Sequence, residues 1–355
     1  MLRYALRLIL ALILAIEAHA AEDSAKVDVH WQRVELGLAP STYPFALYSS
    51  KALDGDTTRI VEAIVVLHGL QRNGDDYYRA AYKLLMSSGA EPESTLLIAP
   101  NFFASADAGK FDLTSIPIWS TQGWIAGEDS LNGPPALSSL DVLDDLVARL
   151  AERKRFPALK RIVVVGHSGG AQIVQRYAVL NAADEKVRAS GIELSYVVAN
   201  PSSYLYFTNE RPDGDSFKPY NTVWCPNYND YRYGLDNMIR YGKSFEGAQL
   251  FRRYAARDVT YLLGSNDTDP RHPVLDKTCG AEAEGPSRNV RGRAYIRYER
   301  YLAGSSIPLD HRAYEVIGVG HDQERMLSSQ CAAARIFGTR QPNTAGATCR
   351  TLMSP

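Results

Sequence analysis

Apolar residues fall along this chain in two alternating patterns. Short runs of branched apolar residues predict buried strands, which lie at Ile64–Leu67, Thr95–Pro100, Ile162–Val165, Tyr196–Ala199, Val259–Gly264 and Ala313–Ile317. Between them, apolar residues at helical spacing predict helices over Asp75–Ser88, Ser138–Lys154 and Gly169–Asn181. This alternation is typical of a mostly parallel, twisted sheet with helices on both faces, so the predicted fold class is α/β.

Two connecting segments are too long and irregular to be plain turns. Phe102–Leu137 is rich in Gly, Pro and Trp, and Pro201–Gly247 is dense in Tyr, Asn and Pro. Loops of more than about 12–15 residues in a compact domain usually have a function, and many cover active sites. Since the second segment begins where a predicted strand ends, we predict that residues 201–247 form a lid-like insert.

The composition fits one large domain. The chain has 355 residues, 45% of them hydrophobic, and a formal net charge of -1. Such a balance gives no indication of the basic face that a nucleic-acid partner requires. The sequence contains no nucleotide-binding loop, metal-ligand cluster or cofactor motif, so we expect neither a cofactor nor a metal. Residues 21–355 are expected to form a single domain, and the sequence does not indicate its oligomeric state.

The first twenty residues have the three regions of a signal peptide. Arg3 and Arg7 supply the positive start, Leu8–Ile16 is an apolar run, and Ala18-His19-Ala20 offers a cleavage site. The apolar run is about half of the ~20 residues that a membrane span needs, and an uncleaved anchor is the alternative. We therefore expect residues 1–20 to be cleaved and the mature protein to be secreted or periplasmic, without a stable membrane span.

Four cysteines, Cys225, Cys279, Cys331 and Cys349, are too scattered for a C-x-x-C metal site. An oxidising compartment favours disulfide formation, and four cysteines can pair in three ways. We favour Cys331–Cys349, which closes a short loop near the C-terminus. The other disulfide, Cys225–Cys279, would then tie the insert to a later loop.

The run Ile162–Gly170 reads IVVVGHSGG and ends a predicted strand with the pattern G-x-S-x-G. In a nucleophile elbow the serine occupies a sharp, strained turn between strand and helix, where flanking side chains would collide with both elements. The alternative is an ordinary turn in which Ser168 caps the helix. We predict that Ser168 is a nucleophile and that the N–H of Gly169, at the helix N-terminus, stabilises an oxyanion.

A serine nucleophile needs a base and an acid at the same edge of the sheet. His321 follows the last predicted strand in AYEVIGVGHD, and Asp267 lies just beyond the end of VTYLLG. We predict that His321 is the general base and that Asp267 orients it. His272 is the alternative base, and Asp269 is the alternative acid.

A second oxyanion donor is expected in the loop after an early strand. That loop is His68-Gly69-Leu70-Gln71, directly after IVVL. Gly69 lets the backbone turn inward, so the N–H of Leu70 or of Gln71 can face the oxyanion. We favour Leu70.

With these motifs the chain resembles the α/β-hydrolase superfamily from about His68 to His321. The combination of GHSGG, HG, GSND and GVGHD in this order is specific for that superfamily, which also has the chain order Ser, Asp, His. The runs VVVGHSGGAQIVQRYA, VVANPSSYLYF, CPNYNDYRYGLDN and VTYLLGSNDTDP are similar to secreted esterases and polyester depolymerases. The resemblance implies the α/β-hydrolase fold, the triad and a small or polymeric ester substrate. The loop HGLQ departs from the HGGG of many lipases, which argues against a close lipase relative.

Three residues are candidates for binding the substrate. Trp119 and Trp124 lie in the first long segment, and Asn200 lies at the end of a predicted strand. The alternatives are that the tryptophans pack in a core and that Asn200 begins a turn. The predicted function is thus a secreted serine hydrolase of carboxylic esters. A peptidase or amidase with the same triad, and a non-catalytic binding protein, are the alternatives.

Overall fold

A nine-stranded sheet runs through the described chain. The computed structural model describes residues 31–243, 246–338 and 346–355, so the predicted signal peptide lies outside the described residues. The strands of this sheet are β1 Gln32–Leu36, β2 Tyr43–Ser49, β3 Glu62–Leu67, β4 Thr95–Pro100, β5 Arg161–His167, β6 Glu193–Ala199, β9 Asp258–Gly264, β10 His311–Val316 and β11 Cys349–Met353. The strands β7 Glu210–Asp213 and β8 Ser216–Pro219 form a separate hairpin.

The strand order of the sheet is β1-β2-β4-β3-β5-β6-β9-β10-β11. Its central part, from β4 to β10, is parallel. The pairs β1–β2, β2–β4 and β10–β11, at the two ends of the strand order, are antiparallel. The predicted α/β class and mostly parallel sheet are therefore confirmed.

Helices connect the parallel strands and pack on the sheet. They are α1 Gly74–Ser87, α2 Gly123–Ala126, α3 Ser139–Leu150, α4 Gly169–Leu180, α5 Ala183–Ala189, α6 Gly247–Ala255, α7 Cys279–Glu282, α8 Arg288–Ala303, α9 Gln323–Leu327 and α10 Gln330–Phe337. Short 3₁₀ turns occupy Pro92–Ser94, Ser105–Asp107 and Arg240–Gly242. Within the described residues, every helix falls short of the length and apolar character that crossing a membrane requires.

The central strands are buried on both faces, as their continuous apolar runs predict. Every residue of β4 is buried, and so is every residue of β5 after Arg161. Ser138 begins α3 as predicted, because its side chain accepts a hydrogen bond from the N–H of Leu140 and so satisfies a free helix donor. The helix ends at Leu150, earlier than the predicted Lys154.

The register brings the ends of the parallel strands to one edge of the sheet. Gly166 of β5 lies beside Leu67 of β3 and Val198 of β6, and Gly264 of β9 lies beside Val316 of β10. The segments that follow these strands therefore meet at the carboxyl edge, where ligands bind in open α/β sheets.

The segment 201–247 is packed against the rest of the chain. Its Tyr204 and Tyr206 are fully buried and contact Tyr295 of α8, with ring centroids 4.5 and 5.1 Å apart. These tyrosines thus belong to a core. A lid function for this segment stays a prediction.

Two disulfides join distant parts of the described chain. Cys225 is bonded to Cys279, and Cys331 is bonded to Cys349. This is the pairing favoured from the sequence. The first disulfide attaches the insert to the N-terminus of α7, and the second attaches α10 to the edge strand β11.

Candidate active site

Ser168 occupies a strained turn between β5 and α4. Its φ of 59° lies in the left-handed region, which non-glycine residues rarely adopt. A Cβ at Gly166 would lie 2.2 Å from the carbonyl oxygen of Gly170, and a Cβ at Gly170 would lie 2.3 Å from that of Leu67. Both glycines are therefore required by the close approach of the strand, the helix and the neighbouring loop.

Ser168, His321 and Asp267 form a hydrogen-bonded chain. His321 Nε2 lies 2.9 Å from Ser168 Oγ, and His321 Nδ1 lies 2.8 Å from Asp267 Oδ2. The alternative acid, Asp269, instead accepts a hydrogen bond from the N–H of Arg271 in its own turn. The alternative base, His272, packs edge-on against His321 with ring centroids 5.0 Å apart.

Asn200 joins the loops that carry the acid and the histidine. Its Oδ1 accepts from the N–H of Gly264 at 2.8 Å, and its Nδ2 donates to the carbonyl of Gly320 at 3.2 Å. The side chain is fully buried and both ends of its amide are occupied. The prediction that Asn200 orients the substrate is therefore wrong, because its hydrogen-bonding groups are used within the protein.

Arg288, the first residue of α8, contacts the same carboxylate as His321. Its Nη1 donates to Asp267 Oδ1 at 3.3 Å, and its Nε donates to Ser202 Oγ at 3.0 Å. The guanidinium is completely buried. Sequence reasoning missed this residue, because nothing in the run RNVRGR distinguishes the arginine that turns inward from those that face solvent.

Burial and charge set the ionisation of the Asp267–His321 pair. Burial alone would raise the pKa of Asp267, but its hydrogen bond to His321 and the charges of His321 and Arg288 outweigh burial and hold the pKa below its usual value. Burial lowers the pKa of His321, Arg288 and His272 lower it as well, and the bond to Asp267 opposes them. The net pKa of His321 lies below its ordinary value, which favours the neutral imidazole that a general base requires.

The N–H groups of Leu70 and Gly169 lie beside Ser168. A Cβ at Gly169 would lie 3.2 Å from the Leu70 nitrogen, so the two backbones are in close approach. The Leu70 N–H has no acceptor among the described residues, and Gly169 is the first residue of α4, where helix N–H groups lack an intrahelical acceptor. Two free donors thus lie beside the serine, as an oxyanion site needs.

Buried polar contacts hold the loop that carries Leu70. Arg72 donates to the carbonyl of Leu70 at 2.8 Å and forms an ion pair with Asp107 that is mostly buried. His68 accepts from the N–H of Phe102 through Nε2, at 2.9 Å, and burial lowers the pKa of this histidine to about 4. Both contacts link the end of β3 to the segment after β4.

Trp119 and Trp124 are fully buried. Trp124 stacks on Phe102 at 5.7 Å and packs against His68 at 4.5 Å, while Trp119 donates from Nε1 to the carbonyl of Glu128. The prediction that these tryptophans bind substrate is wrong, because their rings are covered on all sides by the core. Trp124 supports the start of the Leu70 loop through its contact with His68.

Two adjoining cavities open at the carboxyl edge. The first, here called the Ser168 chamber, has a volume of about 340 Å³ and is lined by Ser168, His321, His167, Tyr77, Asp76 and neighbouring residues. The second, called the Arg232 chamber, has a volume of about 440 Å³ and is lined by Arg232, Gln172, Ser202, Gln122, Asp276, Lys277 and neighbouring residues. Leu70 and Val274 line both chambers.

Comparison with known proteins places this site in a family. The sequence pattern of the alpha/beta hydrolase family matches residues 64–333. No curated protein matches the sequence. Among solved structures, the chain is similar to a poly(3-hydroxybutyrate) depolymerase, LpqC, from Bordetella parapertussis, with a TM-score of 0.59, 23% identity, and coverage of 89% of this chain and 93% of that one.

A second solved structure is similar to the same extent. It is poly(aspartic acid) hydrolase-1 from Sphingomonas sp. KT-1, with a TM-score of 0.59, 19% identity, and coverage of 86% of this chain and 98% of that one. At these identities the likeness shows a shared fold. Since the family match spans most of the chain and includes Ser168, Asp267 and His321, the protein belongs to the alpha/beta hydrolase family.

Proposed function

We propose that the protein is an exported serine hydrolase that cleaves carboxylic esters. The observation that carries the proposal is the hydrogen-bonded chain from Ser168 Oγ through His321 to Asp267, at 2.9 and 2.8 Å. A hydroxyl is a weak nucleophile unless a base within hydrogen-bond reach removes its proton, and the base must be held in the correct tautomer. These three side chains meet both requirements.

The reaction proceeds through an acyl-enzyme. Ser168 Oγ attacks the ester carbonyl carbon while His321 Nε2 takes the hydroxyl proton, and Asp267 stabilises the resulting imidazolium. The carbonyl oxygen becomes an oxyanion that accepts from the N–H groups of Leu70 and Gly169. Collapse of this intermediate breaks the bond to the alcohol oxygen, which receives the proton from His321. Water, deprotonated by His321, then attacks the acyl group and regenerates Ser168.

Export is the second part of the proposal. The N-terminal residues 1–20 have the pattern of a signal peptide. The two disulfides support an oxidising compartment, because disulfides persist in secreted and periplasmic proteins and are rare in the cytosol.

A matched substrate pair tests the proposed reaction. The rates to measure are kcat/KM for p-nitrophenyl butyrate and for p-nitrobutyranilide, which differ only in the ester or amide link. The matched variants are Ser168→Ala and Ser305→Ala, since Ser305 is exposed and precedes β10, at the opposite edge of the sheet from the site. We expect hydrolysis of the ester in preference to the anilide, with a loss on the order of 10⁴- to 10⁶-fold in Ser168→Ala alone.

Two results would contradict the proposal. Undiminished ester hydrolysis by Ser168→Ala would remove the nucleophile from the mechanism. Faster cleavage of the anilide than of the ester would favour an amidase or peptidase with the same three residues.

A further inference from the structure

The Arg232 chamber contains polar donors that the proposed reaction does not use. Gln172 lies on α4 one turn after Ser168, and its side chain is almost completely buried. Its Oε1 accepts from Ser203 Oγ at 2.9 Å and from Arg176 Nη2 at 3.5 Å, which fixes the amide orientation because a guanidinium can only donate. Gln172 lines the chamber, and its Nε2 has no acceptor among the described residues.

Arg232 is held rigidly at the same chamber. Its Nε donates to Tyr233 Oη at 3.0 Å, and its Nη2 donates to Gln122 Oε1 at 3.2 Å and to Asp276 Oδ2 at 3.3 Å. The side chain is 17% exposed. Arg232 lines the cavity, and its Nη1 has no acceptor in the described part of the chain, so one nitrogen of a fixed guanidinium is left free to donate there.

The carboxylate and the side-chain amide oxygens of the chamber already accept hydrogen bonds within the protein. The Asp276 carboxylate accepts from Arg232, from Tyr233 Oη at 2.8 Å and from Thr278 Oγ1 at 2.8 Å. Ser202 Oγ accepts from Arg288, which leaves the Ser202 hydroxyl hydrogen free to donate. Lys277, which is exposed, adds a second cation to the lining, so two cations and one carboxylate line the chamber.

The proton path assigns the two halves of the substrate to the two chambers. His321 must protonate the leaving alcohol, and His321 lines the Ser168 chamber and not the Arg232 chamber. The alcohol part therefore lies in the Ser168 chamber. The acyl part extends past Leu70, which lines both, into the Arg232 chamber.

We propose that the Arg232 chamber binds a carboxylate at the far end of the acyl chain, so that the enzyme selects monoesters of dicarboxylic acids over esters of neutral acids of equal length. A carboxylate offers only acceptors, which match Arg232 Nη1, Gln172 Nε2 and the Ser202 hydroxyl. This inference rests on the proposed ester hydrolysis, and its test separates the two.

The test compares mono-p-nitrophenyl adipate with p-nitrophenyl hexanoate. The two esters share a leaving group and an acyl length and differ in a terminal carboxylate or methyl group. For the wild-type protein we expect a higher kcat/KM for the adipate, through a lower KM. In Arg232→Gln the adipate-to-hexanoate ratio is expected to fall by about 10- to 100-fold, the effect of losing a hydrogen bond to a charged group.

Further variants separate the effect of charge at the chamber on this ratio from the effect of charge elsewhere on the protein. Lys277→Gln, at an exposed position where folding is not at risk, should lower the ratio in the same direction by a smaller factor. Arg59→Gln removes an equal charge from a side chain that is 75% exposed and precedes β3, at the opposite edge of the sheet. It should leave the ratio unchanged.

Binding to an inactive protein gives a readout that does not depend on turnover. Calorimetry of Ser168→Ala with monomethyl adipate should show binding that is lost in Ser168→Ala/Arg232→Gln and is weakened by salt. A wild-type preference for the hexanoate, or a ratio that neither Arg232→Gln nor Lys277→Gln lowers, would overturn the inference while leaving ester hydrolysis intact. Absence of hydrolysis of both esters, with adipate binding retained, would contradict the proposed function and leave the carboxylate site supported.

Discussion

Arg288 and His321 contact opposite oxygens of one buried carboxylate. Arg288 Nη1 lies 3.3 Å from Asp267 Oδ1, and His321 Nδ1 lies 2.8 Å from Asp267 Oδ2. The cation therefore competes with the imidazolium for the same negative charge. Its effect is to keep Asp267 ionised and to make protonation of His321 less favourable.

The acid limb of the pH profile should follow from this arrangement. A protonated His321 cannot act as a base, so kcat/KM falls as the pH drops through its pKa. Since that pKa is lowered from its ordinary value, we expect the midpoint to lie below about 6.5. The measurement is kcat/KM for a neutral ester between about pH 4 and pH 9. A midpoint above the ordinary histidine value would contradict the electrostatic account.

Removing the cation should move this midpoint. The charged and titratable groups around His321 are Asp267, Arg288, His272 and His167. Arg288→Met removes the positive charge that lowers the pKa of His321. This pKa should therefore rise, and the acid limb of the pH profile should shift to higher pH. Arg288→Lys keeps the charge and should restore most of the original midpoint. A role confined to folding would lower kcat/KM at every pH without moving the midpoint.

Asn200→Ala should disconnect the two loops that carry Asp267 and His321. The variant loses the bonds to Gly264 and Gly320, and it leaves a buried N–H and a buried carbonyl without partners. We expect the free energy of unfolding to fall by about 1–3 kcal/mol, with a loss in kcat at unchanged pH midpoint. Chemical denaturation and steady-state kinetics measure the two effects.

Asn237→Ala is the matched control for Asn200→Ala. Asn237 also has a positive φ, of 50°, but it lies exposed in the insert. Asn237→Ala should therefore lose the unfolding free energy that alanine costs at a positive φ, but it should not lose kcat. Equal kcat values for the two variants would contradict the positioning role of Asn200.

The two disulfides should differ in their effect on function. Replacing both members of Cys225–Cys279 by serine should cost about 2–5 kcal/mol of unfolding free energy, and so should replacing both members of Cys331–Cys349. Cys279 directly follows the residues 273–278 that line the Arg232 chamber. Only the first double variant should therefore raise KM, and equal KM values for the two would show that the disulfide does not support the chamber wall.

Much of the fold could be predicted from local patterns. The strand at Thr95–Pro100 has the bounds expected from its apolar run, because a strand buried on both faces carries a continuous signal. The elbow and the loops with Asp267 and His321 were also predictable, since each directly follows such a strand. Parallel strands bring these ends to one edge without further information.

Features that depend on distant contacts were not predictable. Helix α8, Arg288–Ala303, buries charged residues such as Arg291 and Glu299, so its apolar spacing is weak. Those charges are satisfied by groups far away in the sequence, such as His311 beside Glu299 at 2.9 Å. For the same reason, nothing local distinguishes Trp119 and Trp124 in the core from tryptophans on a pocket wall.

The most direct measurement of the central claim is covalent labelling with a fluorophosphonate probe, mapped by peptide mass spectrometry. An activated serine hydroxyl attacks the phosphorus and displaces fluoride, whereas an ordinary serine does not react. We predict a single adduct on Ser168, absent from Ser168→Ala and strongly reduced in His321→Ala. Ester hydrolysis by a protein that forms no adduct at Ser168, or an adduct on another serine that persists in Ser168→Ala, would contradict the account.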